Sequence, residues 1–253
     1  MIQVKKFYAH NELRNFSYLI VDEETGKAWA IDPYEATPYI EYIKKNSLSL
    51  QGILNTHQHH DHIRGNLPLK EAFLAPIKKL LNSEKLLLDD KHMLETLDTP
   101  GHTMDHQVFI LKSQNSPAAL FSGDTLFNAG VGNCRNGGKV ELLYDTTQNL
   151  LEKLPDDTIL YPGHDYIQKN LEFAHSLEPD NKQIRDLLLD IKKEDVDKRR
   201  AVTLGMEREV NPFLRLKSDE LRENLAQELN NLEDEDQLER NLFYKMRSLR
   251  DNW

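Results

Sequence analysis

The hydrophobic pattern changes period several times along the first two-thirds of the chain, and each change predicts a new element. "SYLIVD" and "KAWAID" have strand texture and flank "EETG", a turn that predicts a hairpin. In "TPYIEYIKKN" the spacing lengthens, with Ile40 and Ile43 three apart, which predicts a short amphipathic helix. "LQGILNT" returns to strand texture. "LPLKEAFLAPIKKLL" is spaced as a helix but carries Pro68 and Pro76, and proline interrupts helical hydrogen bonding. "HMLETLDTPGH", "AALFSGD" and "DTILYPGH" predict further strands, and strands alternating with helices predict a layered α/β architecture.

From about Tyr166 the texture changes. "IQKNLEFAHSLEP", "NKQIRDLLLDIKKEDVDKRRAV" and "DELRENLAQELNNL" have helical spacing and few β-branched residues, with breaks at Pro179 and at Asn211-Pro212. The expectation is two domains, residues 1–165 and a helical domain over 166–253. The acidic run "LEDEDQLER" is expected to be a solvated helix face or loop rather than a partner surface.

Composition narrows the function classes. Of 253 residues 39% are hydrophobic and 29% charged, an ordinary globular mixture. No apolar run approaches the ~18–20 residues of a membrane span, and "MIQVKKFYAHNELRNF" lacks the apolar core of a secretory signal. Cys134 is the only cysteine, which excludes an internal disulfide and fits a reducing, cytoplasmic setting. A net charge of −10 argues against general nucleic-acid binding. An anionic substrate would therefore have to be held by local cations.

The candidate chemistry lies where strands end. "NTHQHHDHIRGN" puts four of the ten histidines within six positions. In extended chain His57 and His59 share one side, whereas the adjacent Asp61 and His62 can share a target only after the backbone turns. Two pairs in different orientations suit two neighbouring metal ions. Three other strand-like runs end in glycine followed at once by a ligand type: His102, Asp124 and His164. Imidazole and carboxylate donors suit zinc, with iron or manganese as alternatives. Counting ligands gives His57, His59 and His102 for one ion and Asp61, His62 and His164 for the other, bridged by Asp124. His10, His60, His92 and His175 have no spacing argument and are expected to be surface or packing residues.

Thr56-His57-Gln58-His59-His60-Asp61-His62 resembles the signature of the metallo-β-lactamase superfamily, and "TPGHTMDH", with its second histidine His106, "FSGDTLFNAG", "YPGHDYIQKNLEFAHSLEPDN", "NPFLRL" and "MRSLRDNW" are similar to segments of glyoxalase II within it. The resemblance spans most of the chain. It implies an αββα sandwich followed by a helical domain, two divalent metal ions, and hydrolysis of a glutathione-linked thioester such as S-lactoylglutathione, with no nucleic-acid or membrane partner. It implies Asp61 and Asp124 as catalytic, the first orienting the nucleophile and the second bridging the ions. Tyr166, Arg247 and Arg250 fall where the family contacts glutathione, which answers the charge problem. One stretch departs: "GVGNCRNGGKVELLYD" replaces the family's compact basic and aromatic run, and Arg135 and Lys139 are the candidates to supply the missing cation. Three rivals stand beside this reading: a mono-iron persulfide dioxygenase, a hydrolase of another thioester or a lactone, and a non-catalytic binding protein.

Overall fold

In the computed structural model, which describes residues 1–114, 116–225 and 234–253, the chain begins with a three-stranded meander. β1 (Ile2–Tyr8), β2 (Phe16–Asp22) and β3 (Lys27–Ile31) pair antiparallel, with "EETG" closing the expected hairpin. α1 (Ala36–Lys45) then carries the chain across to β4 (Ser49–Leu54), which runs parallel to β3, a pairing that needs such a crossover. Tyr39 and Ile43 are the buried stripe of that helix; they pack with Leu19, Val21, Ala28 and Ile53 of the sheet. The chain next makes α2 (His60–Ile63) and α3 (Asn66–Phe73).

The helical expectation over 67–81 holds only in its first half. Pro68 sits in the first turn of α3, where N–H groups lack intrahelical partners anyway. The helix stops at Leu74, which takes a left-handed φ of 55°, two residues ahead of Pro76. Beyond that proline the chain is extended as β5 (Ile77–Lys78), parallel to β4.

A second five-stranded sheet contains β6 (Lys85–Leu87), β7 (His92–Asp98), β8 (Gln107–Ser113), β9 (Ser116–Gly123) and, from later in the chain, β12 (Ile159–Pro162), in the order β12-β9-β8-β7-β6. Tyr18 of the first sheet meets Phe121 at 5.4 Å and Tyr161 at 5.1 Å, so apolar faces of the two sheets oppose each other. The Tyr18 hydroxyl donates to Pro162 O at 2.6 Å, which satisfies its buried polar end.

By contact density the chain forms two compact units. One comprises 1–98, 105–123 and 161–165, and holds both sheets; the other comprises 99–104, 124–160 and 166–253. The second unit holds a small ribbon of β10 (Leu126–Phe127) and β11 (Gly130–Val131), then α4 (Val140–Lys153), α5 (Ile167–Leu177), α6 (Lys182–Ile191), α7 (Leu204–Val210), α8 (Asp219–Leu225) and α9 (Glu235–Asp251). A ladder of rings from Tyr144 through Phe243 and Phe213 to Phe173 ties α4, α9, the turn Pro212–Leu214 and α5 together. Side-chain caps start several of these helices: Asn181 for α6, Thr203 for α7 and Asp234 for α9.

α6 ends at Ile191, well short of the expected stretch, because the charged run after it brings little apolar surface to bury. α8 is described to Leu225, and the remainder of "DELRENLAQELNNL" lies outside the described residues. Of the acidic run, Leu232 and Glu233 lie outside the described residues; Asp234 is the N-cap of α9, with Glu235 and Asp236 in its first turn, where the helix dipole favours carboxylates. Among the described residues no helix is long and apolar enough to cross a membrane.

Candidate metal centre and substrate cavity

In the first unit the ligand-type residues follow β4 directly. Asn55 donates to His62 O at 2.8 Å and so clamps the turn. His59 is extended and α2 begins at His60, so Asp61 and His62 stand on its first turn. Asp32, at the end of β3 with a left-handed φ of 48°, organises what lies between. Its carboxylate accepts from Thr56 N at 2.7 Å and Thr56 Oγ1 at 2.6 Å, and contacts His62 Nδ1 at 2.9 Å.

These contacts fix where the protons sit. His164 Nδ1 lies 2.7 Å from Leu13 O, and a carbonyl can only accept, so the proton is on Nδ1. His62 Nδ1 likewise donates to Asp32. In neutral imidazoles both Nε2 atoms then carry lone pairs, yet they face each other at 3.3 Å. Asp61 Oδ2 lies 3.5 Å from each, and is itself oriented by Asn15 Nδ2 at 2.9 Å. Asn15 is locked in turn by Asn11, which donates to its Oδ1 at 2.8 Å. The ligand atoms of Asp61, His62 and His164 all fall within 4.8 Å of one another. Three electron-pair donors converge there. A proton on one nitrogen would link the two imidazoles; a cation could engage all three donors.

His57 follows the same logic. The Thr56 hydroxyl gives its proton to Asp32, so its oxygen accepts from His57 Nδ1 at 3.0 Å. His57 Nε2 is left as an acceptor, 3.0 Å from His59 Nδ1. His106 is buried and stacks on His57, ring centroids 5.0 Å apart. Gly123, at φ 49°, cannot be replaced: a Cβ there would lie 2.4 Å from Thr56 Oγ1 and 2.8 Å from His106 Nε2.

The second unit carries the other two ligand types. His102 Nδ1 lies 2.6 Å from Asn133 O, which again puts the proton on Nδ1, and Nε2 stands 3.5 Å from Asp124 Oδ2. The His102 loop is braced by Lys139 N donating to Gly101 O at 2.8 Å, and a Cβ on Gly101 would lie 2.5 Å from Leu143 Cα. Asn133 lies in the stretch that departs from the glyoxalase II pattern, and the backbone of that stretch sets the tautomer of a ligand-type histidine. Covalent continuity ties these residues to the first unit's strands. Asp124 is bonded to Gly123 at the end of β9, and His102 lies between Asp98 of β7 and Asp105.

Tyr166, Arg247 and Arg250 meet in the second unit, where with Lys169, Arg135 and Trp253 they line a cavity of about 320 Å³. Their roles differ from a simple reading of charge. Arg247 is buried, donating to Val131 O at 2.7 Å and to Asp251 Oδ1 at 2.9 Å. Arg250 is half-buried and donates through Nε and Nη2 to Asn170 Oδ1 at 3.1 and 3.0 Å. Burial pulls both guanidiniums below their ordinary proton affinity. Arg135 reaches Asp251 O, while Lys139 is exposed beside α4 and is not among the lining residues. Lys169, one turn along α5 from Tyr166, adds a cation that charge counting alone did not single out.

The residues outside the site also have places. His60 is exposed, His92 pairs with Asp89 at 2.7 Å, and His10 packs edge-on against Tyr8. Burial pushes the Cys134 thiol up to about 11, away from the thiolate form that reacts. Asp32 and Asn15 were not singled out from the sequence. The one local signal was an acidic residue before proline at the end of an apolar strand, "AIDP".

The family model described as the metallo-β-lactamase superfamily matches residues 12–79, and that described as the hydroxyacylglutathione hydrolase C-terminus matches residues 165–253. The hydroxyacylglutathione hydrolase of Polaromonas is 41% identical, covering 99% of both chains. That of Nitrosococcus oceani is 39% identical, again over 99% of each. A metallo-β-lactamase from Staphylococcus aureus shares the fold, with a TM-score of 0.64 at 20% identity over 99% of this chain and 71% of its own. The chain therefore belongs to the hydroxyacylglutathione hydrolase family, with the metallo-β-lactamase fold and that family's helical C-terminal domain.

Proposed function

We propose that this chain hydrolyses glutathione thioesters of 2-hydroxy acids, S-lactoylglutathione foremost, using two divalent metal ions. The observation that carries the metal-dependent chemistry is the convergence of ligand atoms of Asp61, His62 and His164, all within 4.8 Å of one another, a set that suits imidazole-carboxylate ligation. In this reading Asp61, His62, His164, His57, His59, His102 and Asp124 would be the residues that hold the two ions. Zinc fits this donor set, and iron or manganese use the same ligands. Bound there, such ions supply acidification of water, from a pKa of ~15.7 toward ~7, and polarisation of a carbonyl.

The chain's own residues do the rest. Asp32 and the carbonyls of Leu13 and Asn133 hold imidazole protons on Nδ1, keeping Nε2 available. Asn15 fixes the carboxylate of Asp61. The departing thiol has an ordinary pKa of ~8.5 and leaves as thiolate without a strong general acid, which agrees with the lack of a dedicated acid in the sequence. Tyr166, Arg250 and Lys169 offer a hydroxyl and two cations to the peptide part of a glutathione conjugate. The division into a catalytic part, 1–165, and a helical substrate-binding part, 166–253, belongs to this reading.

The test is turnover of S-lactoylglutathione by the metal-loaded chain, beside oxygen uptake on glutathione persulfide. Thioester hydrolysis without oxygen uptake is expected. Oxygen uptake with a single iron would replace this reading by a dioxygenase, and hydrolysis confined to thioesters lacking glutathione would remove the glutathione assignment.

A further inference from the structure

Glu207 lies on α7 and is completely buried, yet no cation pairs with it among the described residues. Its carboxylate is surrounded by N–H donors instead. Oε1 accepts from Asn128 Nδ2 at 2.9 Å; Oε2 accepts from Ala129 N at 2.7 Å and from Asn211 Nδ2 at 3.1 Å. Burial pushes this carboxyl up to about 7 against the pull of those three donors. So costly a group needs a reason to be there.

What it grips is the turn between β10 and β11. Ala129 takes a left-handed φ of 53°, unfavourable for a residue with a side chain, and its N–H is held by Glu207. Asn211 reinforces the grip through Gly130 O at 3.1 Å. On its other side the same turn faces Asn170, whose Nδ2 donates to Asn128 O at 2.9 Å and whose Oδ1 receives both bonds from Arg250. Gly130 is forced by that contact, since a Cβ would lie 2.7 Å from Asn170 Nδ2. Phe127, Val131, Asn170 and Arg250 all line the 320 Å³ cavity. A continuous set of hydrogen bonds therefore runs from Glu207 through the ribbon turn and Asn170 to the Arg250 guanidinium.

We propose that Glu207 is a positioning residue for substrate binding, setting the ribbon and, through Asn170, the aim of Arg250 into the cavity. This rests on the reading of that cavity as the glutathione site. Removing the carboxylate leaves N–H groups of the turn unpaired and releases Ala129 from its strained angle, so Asn170 and Arg250 lose their fixed reference. The ligand-type residues Asp61, His62 and His164 make none of these contacts, so substrate capture falls while the chemical step is spared.

The experiment compares the full-length, metal-loaded wild type with Glu207→Gln and Asn128→Ala, measuring kcat, KM, melting temperature and metal per chain with S-lactoylglutathione. Glu207→Gln is expected to raise KM roughly tenfold, the scale of stranding a buried hydrogen-bonding group, and Asn128→Ala a few-fold. Both should keep kcat within about twofold and metal content unchanged. Unchanged KM in both variants overturns the proposal, as does a fall in kcat that tracks lost metal or lost stability. Should Glu207→Gln not fold, Asn128→Ala decides alone by the same criterion. A wild type that binds and hydrolyses no glutathione thioester is a different failure: it sinks the proposed function, and this inference with it.

Discussion

Around His62 in the first unit, the Nδ1 positions are tied to oxygen acceptors and the Nε2 positions are left facing one another; around the cavity of the second unit, the arginines direct their N–H groups into acceptors of the protein itself. His62 Nε2 and His164 Nε2 approach to 3.3 Å beside Asp61, while Arg247 gives its protons to Val131 O and Asp251. One arrangement gathers donor atoms that a cation could engage together. The other is nearly complete without a ligand. Reactivity is therefore expected to depend steeply on the first region, and selectivity to depend in a graded way on the second.

The steepest break should come from the first region. Asp61→Ala removes a converging donor, and turnover of the thioester is expected to fall by more than about a thousandfold, the scale of losing a preorganised electrostatic group. Steady-state rates at matched metal loading check it, and residual activity near wild type would erase the contrast between the regions. A step outward, Asp32→Asn alters the acceptor that fixes the His62 tautomer. Metal affinity should drop about 10–100-fold, read by competition with a chromophoric chelator. Asn15→Ala should do the same at the lower end of that range.

In the second region the two arginines should separate. Arg250→Ala is expected to raise KM about tenfold at nearly constant kcat, because its half-buried guanidinium lines the cavity where a substrate carboxylate would sit. Arg247→Ala should instead lower the melting temperature, corresponding to about 2 kcal/mol, since Val131 O loses a buried donor. Equal effects of the two on KM would mean that burial does not distinguish them. Lys169→Ala should raise KM only a few-fold, and less at high salt, as befits an exposed charge. The smallest effect concerns Cys134. With its thiol raised from about 9 to about 11, its thiolate fraction at neutral pH is about a hundredfold lower, and alkylation should quicken only as pH nears 11. Rapid labelling at pH 7.5 would contradict that.

How much of this was legible in the sequence depends on the reach of each signal. Local period and turn chemistry were enough for the β2–β3 hairpin and α1, and a helical turn opening at His60 puts Asp61 and His62 on a different course from His57 and His59. The break of 67–81 into helix and strand was not legible, because Pro68 is harmless in a first turn whereas Pro76 is decisive, and spacing alone does not tell them apart. The residues that orient the ligands were hidden for a different reason. Asp32 acts on His62 across 30 residues and Asn15 on Asp61 across 46, and such pairings arise only when strands come together. Glu207 carries no local signal in the sequence, and the burial of Arg247 in the second unit is not legible from its place in the resemblance either.

The central claim is that the converging donors of the first unit exist to hold cations. Its most direct test is metal per chain, measured by mass spectrometry on the purified protein and followed through chelation and re-addition alongside hydrolysis of S-lactoylglutathione. The account predicts close to two divalent ions per chain, loss of hydrolysis as they are stripped, and recovery on their return. Full hydrolytic activity in a chain that retains no metal would contradict it.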